Sequence, residues 1–357
     1  MSAESAPYGA SLRIHRSERF LATVAPRRRV VLVSHVNPDP DALASMLGIQ
    51  ALVEAKLPGK PVILTVDGMI ARAENQAMAD LLQIPLVPVS GVEIGPDSAV
   101  VMVDSQPHTG RRGSEAATPV VVLDHHETPG TLSGVAFSDI RPDLGATSTL
   151  VTGYLLEQDV AVSKRLATAL LYGIESEVSG YPREAGPADD GALVWLFPRA
   201  DKDLLARIRN PKLPQSYFAA FQHALTNAFI YRDAVICWCG EVSQPDLIAE
   251  LADFFIRFDQ VAWAVCVGTY DGLLKLSART DHMGGHCGDV LREAVDGLGT
   301  AGGHDKRAGG AIRIEPSSGR SADELLHVIR GRILARLGIA EQHGRRLLDA
   351  CPRIAAP

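Results

Sequence analysis

The sequence predicts an α/β chain: a parallel-sheet first half, a helical connector and a smaller α/β second half. Three observations predict it. Short, continuous β-branched runs alternate with Ala/Leu-rich stretches in the first half, as the buried strands of a parallel sheet require. A strand-free segment broken by two prolines follows. Beyond it, strand-like and helix-like segments resume.

Taken in order, residues 30–34 (VVLVS) form the first strand signal, and 41–57 read as a helix. Residues 61–66 (PVILTV), 99–103 (AVVMV) and 119–123 (PVVVL) are further strands, and 150–158 and 162–172 are helices. Residues 189–230 look helical, interrupted near Pro211 and Pro214, and form the candidate connector. The second pattern starts at Ala234 (AVICWCGEV). It continues through a helix at 246–255, strands at 263–269 and 273–279, a helix at 289–295, a glycine-rich loop and a strand at 310–314. A closing helix over 321–338 has Ser321 as N-cap, with Glu324 three residues on completing a capping box.

At about 150 residues per domain, 357 residues correspond to roughly two domains, whose cores need no disulfides. An apolar share of 46% with 22% charged residues excludes general disorder. Lys+Arg of 35 against Asp+Glu of 42 gives a formal charge of −7, which argues against a protein that wraps long duplex DNA. There is no apolar run of the ~18 residues a membrane span needs, and no secretory hydrophobic core near the N-terminus. Five scattered cysteines (Cys237, Cys239, Cys266, Cys287 and Cys351) suggest no disulfide framework. Cys237 and Cys239 would share one strand face, but there is no second pair to complete a zinc site. All five are read as reduced thiols, with cytoplasmic localisation expected and no membrane partner.

Three of the first-half strands run into acidic residues or histidines. After VVLVS come His35, Asp39 and Asp41; after AVVMV, Asp104; after PVVVL, Asp124, His125 and His126. Singly, such a histidine is usually satisfied structurally, and such an aspartate caps the next helix, as Asp41 could. The set resists that reading. Four carboxylates and three imidazoles at one sheet edge repel and desolvate one another unless cations neutralise them. A mixed set of this kind suits Mn²⁺, Mg²⁺, Fe²⁺ or Co²⁺ better than structural zinc. Paired metals about 3.5–4 Å apart activate a water and stabilise both oxygens of an in-line displacement at phosphorus.

SHVNPDPDALAS, VMVDS and VLDHH resemble, in order, the first three motifs of the DHH phosphoesterases. LSAR (276–279) and AGGHDKRAGG (301–310) resemble the SxR and GGGH elements of the DHHA1 substrate-binding domain of the RecJ-like branch. The resemblance runs from about residue 29 to 314. It implies a DHH domain over 25–188, the connector over 189–230 and a DHHA1 domain over 231–340. Among two-domain members the chain looks most similar to the nano-RNase / pAp phosphatase group, often labelled exopolyphosphatase-related.

Residue by residue, the resemblance implies that His35 and Asp39 hold one metal, that Asp41 and His125 hold the other, and that Asp104 bridges both. His126 would face the scissile phosphate and Asp124 would orient the histidines. Glu177 stands where the family's fourth motif has an aspartate, and by the resemblance would be a further metal ligand on an arm one methylene longer. Arg279, His304 and Arg307 would bind the non-scissile phosphate, with Gly302 and Gly303 letting backbone amides approach. Ala301 replaces the first glycine of the GGGH element. Two Mn²⁺ ions are the expected cofactors, with Mg²⁺ or Co²⁺ as alternatives.

The expected partner is a short single-stranded oligonucleotide or nucleotide, with a homodimer left open. Exopolyphosphatase and cyclic-dinucleotide phosphodiesterase activity are rival readings with the same chemistry. A non-catalytic nucleotide-binding regulator is a rival of another class, opposed by the intact His35, Asp39, Asp41, Asp104 and His125. Residues 297–302 spell GxGxxG but follow a helix, which removes the context of a dinucleotide site. Asp281, His282, His286 and Cys287 read as an exposed glycine-rich loop rather than a metal site. The basic runs 27–29 and 111–112 would steer phosphates or simply be solvated.

Overall fold

The computed structural model describes residues 15–107, 118–128, 130–179, 185–303, 305–314, 321–340 and 343–348. Arg111, Arg112, His304 and Cys351 lie outside the described residues. The chain forms two compact units, residues 1–211 and 212–357.

The first unit comprises α1 (Arg16–Val24), β1 (Arg29–Val33), α2 (Pro40–Lys56), β2 (Val62–Val66), α3 (Ala73–Leu81), β3 (Leu86–Pro88), β4 (Ser98–Val103), β5 (Val121–Asp124), β6 (Phe137–Ile140), α4 (Thr147–Glu157), α5 (Lys164–Val178), α6 (Pro187–Leu196) and α7 (Lys202–Arg209). All six strands pair in parallel, in the order β3-β2-β1-β4-β5-β6. The order reverses between β1 and β4, the switch point at which doubly wound sheets leave a crevice beyond their carboxyl ends.

The β-branched runs are explained by burial on both faces. Val30, Leu32, Val101 and Leu123 pack on the α2 side, and Val31, Val33, Val100 and Met102 on the other. Helix α2 is apolar nearly all round and is buried from Pro40 to Ile49, as a helix in the middle of a layer should be. Gly173 lets α5 come close to it: a Cβ there would lie 2.8 Å from Ala44 Cβ, 2.7 Å from Ser148 Oγ and 3.1 Å from the Pro40 carbonyl.

The second unit contains α8 (Gln215–Thr226), β7 (Ala228–Tyr231), β8 (Ala234–Glu241), α9 (Asp246–Phe255), β9 (Trp263–Tyr270), β10 (Leu273–Thr280), α10 (Cys287–Val295), β11 (Thr300–Gly303), β12 (Arg307–Arg313), α11 (Ala322–Arg336) and β13 (Arg345–Arg346). Its sheet runs β11-β12-β10-β9-β8-β7-β13, and only the β8–β9 pair is parallel. Helices α10 and α11 cover one face, and α8 and α9 the other. Ser321 caps α11 with Glu324, as the sequence indicates.

Two expectations change. The stretch 189–230 does not stand apart as a connector. Ala192, Leu196, Leu205 and Ile208 bury α6 and α7 in the first core, whereas α8 and β7 belong to the second unit. The glycine-rich loop near residue 300 is instead strand β11, hairpinned to β12. Glycines carry no side-chain periodicity by which a strand could be read.

Candidate metal centre

The HVNPDPD segment is built for a tight exit from β1. Asn37 takes a left-handed φ of 59°, which asparagine tolerates better than most residues. Asp39 then caps α2 by accepting the Ala42 N–H at 3.1 Å, and Pro40 occupies the first turn. His35, Asp39 and Asp41 are thereby delivered to the crevice. Asp104 leaves β4 with φ 54°, and its N–H bonds to the Leu123 carbonyl at 2.8 Å. Asp124, His125 and His126 arrive from β5.

Asp104 lies between two imidazoles. Its Oδ2 is 3.5 Å from His35 Nε2, and its Oδ1 is 3.6 Å from His125 Nε2. His35 Nε2 is also 3.4 Å from Asp39 Oδ2, and His125 Nε2 is 4.0 Å from Asp41 Oδ2. Both Nδ1 atoms face backbone carbonyls, Val36 at 3.0 Å and Leu144 at 3.3 Å, so each must donate there. With Nδ1 so engaged, Nε2 of each ring faces carboxylate oxygens. These separations are too long for charge-assisted hydrogen bonds. Those of 3.4–3.6 Å fall in the roughly 3.0–3.6 Å expected between ligand atoms that share a cation with bonds of about 2.1 Å; the 4.0 Å between His125 and Asp41 is longer, and Asp41 is in neither metal-sized group. His35, Asp39 and Asp104 form one group that could hold a metal, and Asp104, Asp124, His125 and His126 another, with Asp104 in both. The donor set and its spacing therefore fit divalent cations.

Burial, then the charges of Asp104 and Asp39, push the Asp41 carboxyl well above the usual carboxylate range. Glu177, half-buried, is pushed up to about 8 by burial and by the charges of Asp39, Asp41 and Asp104. It sits one turn after Gly173 on α5, on the face that meets α2. Its charge is thus coupled to the cluster, though it is not in either metal-sized group. For Asp124, burial alone would raise the carboxyl; the His126 hydrogen bond and charge outweigh it and hold the group low.

Asp124 Oδ1 accepts the His126 Nδ1 proton at 2.8 Å and the backbone N–H groups of His125 at 2.8 Å and His126 at 3.2 Å. It thus orients the His126 ring, whereas the His125 ring is set by the Leu144 carbonyl. Sequence reasoning missed Thr147, whose hydroxyl donates to Asp104 Oδ1 at 2.9 Å, and Gln106, whose amide donates to the His126 carbonyl at 2.9 Å. The run GATSTL, small and polar at a helix start, was the available signal for Thr147.

The basic run 27–29 is not beside this centre. It leads into β1 at the amino ends of the strands, away from the carboxyl ends that carry the centre, and there Arg27 and Arg29 donate to the carbonyls of Pro96 and Glu93. In the second unit, Arg279 on β10 pairs in register with Arg307 on β12, and Gly302 lies across from Gly309 on the same face. Arg279 is bound by Asp253 and by the Ser277 hydroxyl. Nothing lies within 4 Å of where a Gly302 Cβ would stand, so this face has an open glycine floor. Gly303 belongs to the other face. Its carbonyl lies 2.6 Å from where a Cβ on Gly288 would sit, so two glycines let β11 meet α10. Among the described residues, the His282 and His286 rings approach aspartates at 3.9–4.0 Å.

A doubly wound sheet carrying an acidic and imidazole centre at its switch point defines the class, and comparison with known proteins gives the family. Residues 29–174 match the DHH family, N-terminal domain. The uncharacterized protein MJ1633 of Methanocaldococcus jannaschii is 29% identical over 88% of this chain and 65% of its own length. The cyclic-di-AMP phosphodiesterase GdpP of Geobacillus thermodenitrificans is 27% identical over 77% of this chain and 44% of its own. The probable bifunctional oligoribonuclease and PAP phosphatase NrnA of Streptococcus mutans is 22% identical over 43% of this chain and 47% of its own. This chain therefore spans less than two thirds of each of these relatives.

Among solved structures, an exopolyphosphatase-related protein from Bacteroides fragilis superposes with a TM-score of 0.69 at 17% identity, covering 90% of this chain and 96% of that one. Exonuclease RecJ bound to manganese gives 0.50 at 14% identity, covering 93% and 96%. Residues 29–174 are therefore a DHH-family N-terminal domain, and the chain as a whole is similar to DHH phosphoesterases. Among the described residues, no helix is long and apolar enough to cross a membrane.

Proposed function

We propose that the chain is a metal-dependent phosphohydrolase acting on phosphodiester or phosphomonoester bonds of short oligonucleotides or nucleotides. The observation that carries this reading is Asp104, whose two oxygens face the Nε2 atoms of His35 and His125 at 3.5 and 3.6 Å. In this reading His35 and Asp39 would hold one ion, Asp41 and His125 the other, and Asp104 would serve both, with Glu177 balancing charge beside them. When bound, such a pair supplies the activated nucleophile and charge neutralisation at phosphorus. Mn²⁺ is the favoured metal, supported by the manganese in the similar RecJ structure.

The chain's own groups do the rest. The Val36 and Leu144 carbonyls fix the tautomers of His35 and His125. Asp124 holds the His126 ring through Nδ1, so that Nε2 would face a phosphate oxygen. Arg279, Arg307 and His304, with the open backbone at Gly302, would bind the phosphate that is not cleaved; Gly303, turned toward α10, is left out of this set.

Similarity to a cyclic-di-AMP phosphodiesterase over 77% of this chain favours cyclic dinucleotides as a second reading. The test is chromatographic product analysis with Mn²⁺ on linear dinucleotides, cyclic dinucleotides, pAp and polyphosphate. Release of mononucleotide or phosphate, abolished by chelation, is expected. No turnover of any of these with Mn²⁺ would overturn the proposal.

A further inference from the structure

The second unit brings together three buried cysteines that the sequence scatters. Cys237 and Cys239 point to one face of β8, and Cys266 stands opposite Cys237 on the parallel strand β9. The three sulfurs lie within 4.8 Å of one another, and Cys237 and Cys239 are 3.9 Å apart. Metal–thiolate bonds of about 2.3 Å place two sulfurs about 3.8–4.0 Å apart in tetrahedral or trigonal geometry.

Helix α8 lies over the cluster. Cys237 Sγ is 3.3 Å from the Ala224 carbonyl. The neighbouring residue, His223, brings its Nε2 to 2.9 Å from where a Cβ on Gly240 would be, so only glycine beside Cys239 lets the ring come so near.

We propose that Cys237, Cys239 and Cys266 form a zinc site; His223, which lies outside the three-sulfur group with its Nε2 3.4 Å from Asn227 Nδ2, would turn in as fourth ligand and so pin α8 to β8 and β9. Charge selects the ion. Three thiolates around a divalent cation leave one net negative charge in an apolar core, and around a monovalent one they leave two, at a larger desolvation cost.

The chain as isolated should carry zinc that survives mild chelation in the Asp104→Asn variant. Cobalt added to the metal-stripped chain should give the intense thiolate-to-cobalt charge-transfer band, which oxygen and nitrogen ligands cannot produce. The band should persist in Asp104→Asn and be lost in Cys239→Ser and Cys266→Ser, with circular dichroism reporting their fold. His223→Ala should keep the band and shift the cobalt d–d absorption; an unchanged d–d spectrum would remove His223 from the site.

The proposal is overturned by no band in the wild-type chain, by a disulfide among the three cysteines, by a band unchanged in both serine variants, or by copper in place of zinc. Should a serine variant unfold, the wild-type spectrum decides.

Discussion

Asp41 and Thr147 are joined across 106 positions of sequence: the carboxylate Oδ2 accepts the Thr147 backbone N–H at 2.7 Å, and Oδ1 accepts that of Ser148 at 2.7 Å. One buried side chain therefore closes the N-terminus of α4 while facing His125. The helix end favours negative charge. Both roles need both oxygens.

Asp41→Asn keeps one acceptor oxygen and turns an N–H₂ toward a backbone N–H. Leaving one buried donor without its acceptor should cost about 1–3 kcal/mol. Urea unfolding of the metal-free variant measures it. A change under about 0.5 kcal/mol would show that α4 does not depend on this carboxylate.

Asp104→Asn is the cleanest test of the centre. Asparagine tolerates the φ of 54° and can still accept from the Thr147 hydroxyl, so the fold should survive. One charge leaves the position between the two histidines. Hydrolysis should fall at least a hundredfold, with metal affinity by calorimetry reduced as well. Activity within a factor of two of wild type would remove Asp104 from both ions.

The metal-free chain should lose stability as pH rises. Glu177 and Asp41 have folded-state pKa values above their ordinary ones, that of Glu177 moving from 4.5 to about 8. The folded chain then holds protons that the unfolded chain has released. The resulting stabilisation is full below about pH 4.5 and is lost as pH climbs toward 8. Bound divalent metal removes the need for those protons, so thermal denaturation with Mn²⁺ should lack this slope. A metal-free melting curve flat from pH 5 to 8 would contradict the crowding of these carboxylates.

Arg279→Ala should weaken turnover of a dinucleotide while sparing a small chromogenic phosphodiester. A hydrogen bond from a charged group to phosphate is worth about 1.5–3 kcal/mol, or roughly ten- to a hundredfold in kcat/KM. Arg279 also holds Asp253, so activity is read together with urea unfolding, which should be unchanged. Equal losses on both substrates would give Arg279 a role in folding instead.

The parts legible in the sequence were those where burial forces composition. β1, β4 and β5 are sealed on both faces and so read as apolar runs, and the residues that end those runs are the ones the fold gathers into one acidic and imidazole cluster. The parts that were not legible depend on partners distant in sequence. β6 is four residues long and carries the buried Asp139, which accepts from Tyr154 at 2.7 Å and pairs with Arg16. That polar residue hid the strand. Cys266 gave no sign of Cys237 because only the parallel register of β8 and β9 sets them side by side.

Substrate length should follow from how few cations are available. The chain carries a net charge of −7, Arg27 and Arg29 are spent on carbonyls at the amino ends of the strands, and Arg279 is paired with Asp253. Long single strands are tracked by extended cationic grooves, and no such run of basic residues appears in the sequence. Strands of roughly two to five nucleotides, the low end of single-strand site sizes, should therefore be preferred. Each phosphate neutralised on a single strand adds about 0.7 to the slope of log affinity against log salt, so two or three contacts give a shallow slope of about −1.5 to −2. Turnover measured on strands of increasing length, each at several salt concentrations, checks both expectations together. Faster degradation of a long strand than of a dinucleotide, with a steep salt dependence, would point to an exonuclease that tracks its substrate.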